Sequence, residues 1–163
     1  LLKGSLDGKK SVYAPLLEVH QEPWPHVKEG LLIAQGAQHE AVALNDVSDG
    51  LASEANEIAR ASGVDLVLEK EKLPVHPLLY RYAVERGKDP YRWVLAGGED
   101  FVLVGTASSE VLSRISELFA REGLSLFEIG RVEKGEGRVW LEEKGGRRLL
   151  PQEGYNHFNK RGQ

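Results

Sequence analysis

Ala41-Val42-Ala43-Leu44-Asn45-Asp46-Val47-Ser48-Asp49-Gly50-Leu51 carries an apolar run into two carboxylates, a hydroxyl and a glycine. Ala41–Leu44 has the length and composition of a short buried strand. From about Gly50 to Ala61, Leu51, Ala55, Ile58 and Ala59 recur at i, i+4, i+7 and i+8, the spacing of a helix face. Glu54 and Glu57 then fall on its outward side. Asp46, Ser48 and Asp49 therefore stand where a strand ends and a helix begins. Such a junction suits phosphate and hard cations: the helix start offers free N–H groups and the carboxylates offer oxygen ligands. Taken alone, the stretch also fits a simple helix cap by Ser48 or Asp49. Asp46 is one carboxylate more than a cap needs, and two close carboxylates repel unless a cation lies between them.

The same pattern of strands alternating with helices continues on both sides. Residues 1–22 read as an irregular lead-in with one strand near Tyr13–Val19. Pro23-Trp24-Pro25 is stiff and extended, with Trp24 expected to pack on the domain. A helix follows from His26 to Gln35, with Val27, Leu31 and Ala34 inward and Gly36 as its end. Val64–Leu68 is a strand, His76–Arg86 a helix, and Pro90 starts a short helix that stops at Gly97. Phe101–Thr106 is a strand. Ser108 or Ser109 caps a helix to Arg121 that buries Leu112, Ile115, Leu118 and Phe119. Leu124–Ile129 reads as a strand, Val139–Leu141 as a hairpin partner across the Gly135–Gly137 turn, and Gly145-Gly146 as another turn. The expected fold class is α/β (α+β), a layered mixed sheet flanked by helices, in one domain.

Composition narrows the function. Of 163 residues, 41% are hydrophobic and 28% charged, which suits an ordinary globular core. A formal net charge of -4 with scattered basic residues argues against nucleic acid as a partner. No apolar run approaches the roughly 20 residues of a membrane span, and no signal peptide is visible. Cysteine is absent, which removes thiolate chemistry. A cytoplasmic protein is expected. Methionine is absent too, position 1 included, which points to part of a longer protein.

A second turn, Gly97-Gly98-Glu99-Asp100, repeats the theme of the first. It fits a helix end followed by a turn. Paired glycines also let a backbone come close to a ligand, and Glu99 could accept hydrogen bonds from a polar or cationic substrate. The histidines have no ligand spacing. Tyr155 and Phe158 fit either core packing or a wall against a flat heterocycle.

Pro23-Trp24-Pro25-His26-Val27, Asn45-Asp46-Val47-Ser48-Asp49-Gly50-Leu51, Ala96-Gly97-Gly98-Glu99-Asp100-Phe101, Ile129-Gly130-Arg131-Val132 and Gly154-Tyr155-Asn156-His157-Phe158 stand in one order along the chain. Together they resemble the C-terminal domain of the thiamine-monophosphate kinases, in the aminoimidazole ribonucleotide synthetase-like superfamily. The resemblance implies ATP-dependent phosphorylation of thiamine monophosphate to thiamine diphosphate. It implies Asp46 and Asp49 as Mg2+ ligands, Ser48 as an ATP contact, Glu99 as a contact to the thiamine part, and Tyr155 near its ring. Two departures stand out: Asn45 replaces an apolar residue, and Asn156 replaces an aspartate. In this family a preceding domain carries most magnesium-binding aspartates, much of the ATP site and the dimer interface. The chain is thus expected to be the C-terminal half of a homodimeric enzyme, inactive alone. The acceptor phosphate is largely dianionic at neutral pH, so no general base is expected. Two other readings remain open: an ATP-using relative with a different small acceptor, and a non-catalytic binding or assembly module.

Overall fold

The computed structural model describes residues 12–152. In chain order the elements are α1 (Ala14–Gln21), α2 (Val27–Ala37), β1 (Ala43–Asp46), α3 (Leu51–Ser62), β2 (Val64–Glu69), a 3-10 turn (Lys70–Lys72), α4 (Pro77–Glu85), α5 (Tyr91–Ala96), β3 (Leu103–Thr106), α6 (Ser109–Arg121), β4 (Gly130–Lys134), β5 (Val139–Glu143) and β6 (Gly146–Leu149). The mixed helix-and-sheet class is as expected. The strands divide into a four-stranded sheet, β4-β2-β5-β6, and a separate β1–β3 ribbon. Within the larger sheet β2 runs antiparallel to β4 and parallel to β5, and β6 is antiparallel to β5.

Side chains alternate across a strand, and this gives the ribbon two packed faces. Ala43 and Val104 meet the core cluster built on α3, which includes Leu51, Ala55, Ile58, Leu66, Leu68, Val139 and Leu141. Val42 and Leu103 meet a second cluster of Ile33, Ala37, Val111, Ile115 and Phe119, from α2 and α6. Ser108 starts α6, its Oγ accepting the Val111 N–H at 3.3 Å. Small residues let α3 be enclosed from several sides, so that Ser53, Glu54 and Asn56 are buried as well. Asn56 Nδ2 donates to the carbonyls of Ala52 at 2.8 Å and Leu150 at 3.1 Å, which fastens the segment after β6 to the helix.

Several expectations are corrected. Tyr13–Val19 is not a strand: α1 occupies Ala14–Gln21 with a proline in its first turn, where a fixed φ suits a helix. Tyr13 docks edge-on against Tyr82 at 5.1 Å between ring centroids. Trp24 is 77% exposed rather than packed. In α2 the inward residues are Ile33, Gly36 and Ala37, while Val27 and Leu31 face out. Gly36 does not end this helix. A Cβ there would lie 2.6 Å from Ile115 Cγ1, so the glycine is where α6 crosses closely. Leu124–Ile129 is not a strand; pairing with β2 begins at Ile129, whose carbonyl accepts the Glu69 N–H at 2.9 Å. β5 is not a hairpin partner of β4, because β2 lies between them.

Asp65 on β2 explains how the connection from β4 to β5 passes round the end of β2. Its carboxylate accepts the Trp140 indole N–H at 2.9 Å and the backbone N–H groups of Glu136 and Arg138 at 2.8 and 2.9 Å. These bonds, the Trp140 bond foremost, lower its pKa to about 2. A carboxylate depressed in the folded state contributes stability above its unfolded pKa and loses it as pH falls toward the folded value. The expected result is that wild-type melting temperature declines from about pH 4 to about pH 2 more steeply than that of Asp65→Asn. Parallel slopes in thermal melts across that window would contradict the assignment.

Candidate active site

The ribbon brings the two turns together. Asp46, the last residue of β1, stands opposite Leu103, the first of β3. Beyond that pair the backbones keep exchanging hydrogen bonds. Val47 N–H donates to the Val102 carbonyl at 2.7 Å, Phe101 N–H to the Val47 carbonyl at 3.0 Å, and Glu99 N–H to the Ser48 carbonyl at 2.8 Å. Two motifs some 50 residues apart thus form one zipped double turn. A Cβ at Gly98 would lie 2.5 Å from the Ser48 carbonyl oxygen, closer than real Cβ contacts come. Gly50 takes φ +104°, and a side chain there would press on the Leu95–Ala96 backbone at 3.1 Å. Gly98 is needed for this contact, and Gly50 for the close approach of the first turn to the end of α5.

Glu99 and Phe101 hold φ of +63° and +52°, a left-handed conformation that side chains resist. Two such residues in one short turn store strain of about 1–3 kcal/mol each, and strain of this kind gathers at functional sites. Asp46, Asp49 and Glu99 are exposed, and Ser48 is half-buried. Neither Asp46 nor Asp49 has a side-chain hydrogen bond or ion pair among the described residues. Asp100, at the same edge, has its carboxyl pKa raised by desolvation, with the His20 charge acting in the opposite direction. Tyr155 and Asn156 lie outside the described residues.

The donors fit a hard divalent cation. Mg2+ is commonly held by one or two carboxylates and fills its other positions with water and substrate phosphates. Asp46 and Asp49 could supply two carboxylates of that kind. Among the described residues no group of three or more His, Cys, Asp or Glu side chains is gathered as a metal cage. The site is an open edge: a cleft of about 290 Å³ elsewhere, lined by Lys70, Tyr91, Arg92, Leu95, Arg148 and Leu150 among others, includes none of Asp46, Ser48, Asp49 or Glu99.

Sequence reasoning missed Glu54. It is 5% exposed, not outward-facing. Its Oε2 accepts Asn45 Nδ2 at 3.0 Å and its Oε1 accepts the Asp49 N–H at 3.3 Å. The available signal was Asn45 itself, a polar residue in a run that otherwise reads as buried.

Comparison with known proteins places the chain in a family. The family described as AIR synthase related protein, C-terminal domain, matches residues 4–142. The thiamine-monophosphate kinase of Bacillus subtilis (strain 168) is 41% identical over 143 residues, covering 85% of this chain and 41% of that protein. The crystal structure of the thiamine-monophosphate kinase from Stenotrophomonas maltophilia K279a is 30% identical, with a TM-score of 0.68 over 80% of this chain and 39% of that one. A structure described as AaThiL complexed with AMPPCP and TMP is 32% identical, with a TM-score of 0.58 over 88% of this chain and 46% of that one. The chain spans less than half the length of the curated relatives it matches. With most of its length matched by the family, the chain belongs to the family of AIR synthase related protein C-terminal domains.

Proposed function

We propose that this chain is the acceptor-side half of an ATP-dependent kinase that converts thiamine monophosphate to thiamine diphosphate. A preceding domain outside this chain would supply the rest of the ATP site, further magnesium ligands and a homodimer interface. The zipped double turn carries the reading: backbone hydrogen bonds join the turn that bears Asp46, Ser48 and Asp49 to the turn that bears Glu99. Support comes from relatives named thiamine-monophosphate kinase and from the relative described with AMPPCP and TMP. The openness of the edge also suits a site completed by a second surface.

In this reading Asp46 and Asp49 hold Mg2+, Ser48 contacts ATP, Glu99 binds the thiamine part and Tyr155 stacks near its ring. Bound Mg2+ supplies charge neutralisation between two anionic reactants and stabilises the transferring phosphoryl group. The acceptor phosphate is already largely deprotonated at neutral pH. The protein's task is therefore to position it rather than to remove a proton, and no residue here is assigned as a base. No helix among the described residues is long and apolar enough to cross a membrane. The proposed enzyme works in the cytoplasm, without nucleic acid or membrane partners.

The test compares the longer protein with this chain alone, each given ATP, Mg2+ and thiamine monophosphate. The longer protein is expected to form thiamine diphosphate, and the 163-residue chain to form none. Robust turnover by the isolated chain would refute the two-domain account. Transfer to a different small acceptor, with thiamine monophosphate ignored, would favour another ATP-using member of the superfamily. No nucleotide use at all would favour a binding or assembly module.

A further inference from the structure

We infer that Glu54 is a positioning residue: its buried carboxylate clasps the end of β1 to the turn after it and so fixes where Asp46 and Asp49 present their carboxylates. The inference rests on the magnesium reading above. Glu54 is 5% exposed. A carboxylate at that depth is costly unless its oxygens are hydrogen-bonded. Both are. Oε2 takes the side-chain amide of Asn45 at 3.0 Å, and Oε1 takes the backbone N–H of Asp49 at 3.3 Å. No ion pair involves Glu54 among the described residues. Its place in the early turns of α3 also favours an anion, because free helix N–H groups lie close by.

The partners point to the role. Asn45 is bonded directly to Asp46, and Asp49 is itself the other candidate ligand. One carboxylate therefore spans the turn at the two places from which the ligand side chains depart. A glutamate serving α3 alone would need no contact with a strand side chain. Asn45 likewise gains a purpose: an apolar residue there would leave one oxygen of a buried carboxylate without its partner.

Substitutions separate clasp from charge. In Glu54→Gln the new Oε1 can still accept the Asp49 N–H, and the Asn45 amide can turn over to offer Oδ1 to the new Nε2. Geometry survives and the charge is lost. The double variant N45D/E54Q keeps the clasp and returns a negative charge on the other partner. Glu54→Ala removes the clasp.

The experiment titrates the longer protein that contains this chain with Mn2+, with Asp46→Asn as the reference for loss of this site, followed by water-proton relaxation, beside hydrogen exchange at the Asp49 amide and thermal melts. Glu54→Gln and N45D/E54Q are expected to keep slow Asp49 exchange and Mn2+ affinity near wild type. Glu54→Ala is expected to expose the Asp49 amide and to weaken Mn2+ binding roughly tenfold. Ile115→Val, in the other core cluster, should lower the melting temperature and leave Mn2+ affinity unchanged, which separates position from stability. If Glu54→Ala does not fold, Asn45→Leu removes one arm of the clasp and is expected to weaken Mn2+ in the same direction. Wild-type affinity in the clasp-deficient variant that folds would overturn the inference and leave the metal reading standing. A loss in Glu54→Gln equal to that in Glu54→Ala would overturn it in favour of a charge effect. Failure of wild type to bind Mn2+ would remove the metal reading and the inference together.

Discussion

Asp46→Asn, made in the longer protein that contains this chain, is expected to reduce turnover about 100-fold or more, close to 3 kcal/mol of the barrier. Its effect on stability is expected to stay within about 0.5 kcal/mol. The contrast follows from the surroundings of the side chain. Asp46 is exposed at the end of β1 and has no side-chain partner among the described residues, so the fold loses little when its charge goes. Its backbone remains paired opposite Leu103. A metal-held phosphate would lose an anionic ligand, and an amide oxygen replaces that poorly for a hard cation. The measurements are turnover as a function of magnesium and a thermal melt of the same sample. An unchanged rate at saturating magnesium would remove Asp46 from the ligand set. An unchanged rate together with a large drop in melting temperature would make it a structural residue.

Gly98→Ala is expected to damage both stability and activity. The added methyl would sit 2.5 Å from the Ser48 carbonyl oxygen and 3.4 Å from Asp49 Cα. That same oxygen accepts the Glu99 N–H at 2.8 Å. The obstacle is backbone, held at both ends by the β1–β3 ladder, so no flexible side chain can swing away. Either the two turns separate or the ribbon shifts. Overpacking of this kind costs about 1–3 kcal/mol. Separation would also carry Glu99 away from Ser48, so turnover should fall further than the loss of folded protein explains. Thermal melts, with kinetics normalised to the folded fraction, check this. A variant with wild-type melting temperature and rate would show that the turns do not need their close contact.

The two acidic turns were legible because their chemistry is local. Asp-x-Ser-Asp-Gly after an apolar run, and Gly-Gly-Glu-Asp after a short helix, announce themselves by residue type. Helices α3, α4, α5 and α6 were legible from spacing and end signals, within a few residues. Errors arose where one residue type serves two purposes. Gly36 reads as a helix end, yet it is the crossing point of α2 and α6, and only the nearby Ile115 reveals this. Glu54 reads as a solvated position, because a charged residue beside an apolar stripe usually is one. It is buried because the start of α3 is enclosed on more than one side, which its own periodicity does not record. The Gly135–Gly137 turn reads as a hairpin, yet Asp65, some 70 residues earlier, gathers its N–H groups and places β2 between the strands it joins.

By itself, the sequence determined most of the helices, the strands that lead into and out of the two acidic turns, and the acidic, hydroxyl and glycine groups that those turns carry. Only the tertiary structure decided that the two turns meet, that Glu54 lies beneath one of them, and that the strands form a ribbon and a sheet. The reason is physical. Helix periodicity and turn chemistry are set by neighbours along the chain, whereas the bonds between Ser48 and Glu99 and the clearance at Gly98 exist only once β1 and β3, some 60 residues apart, have paired.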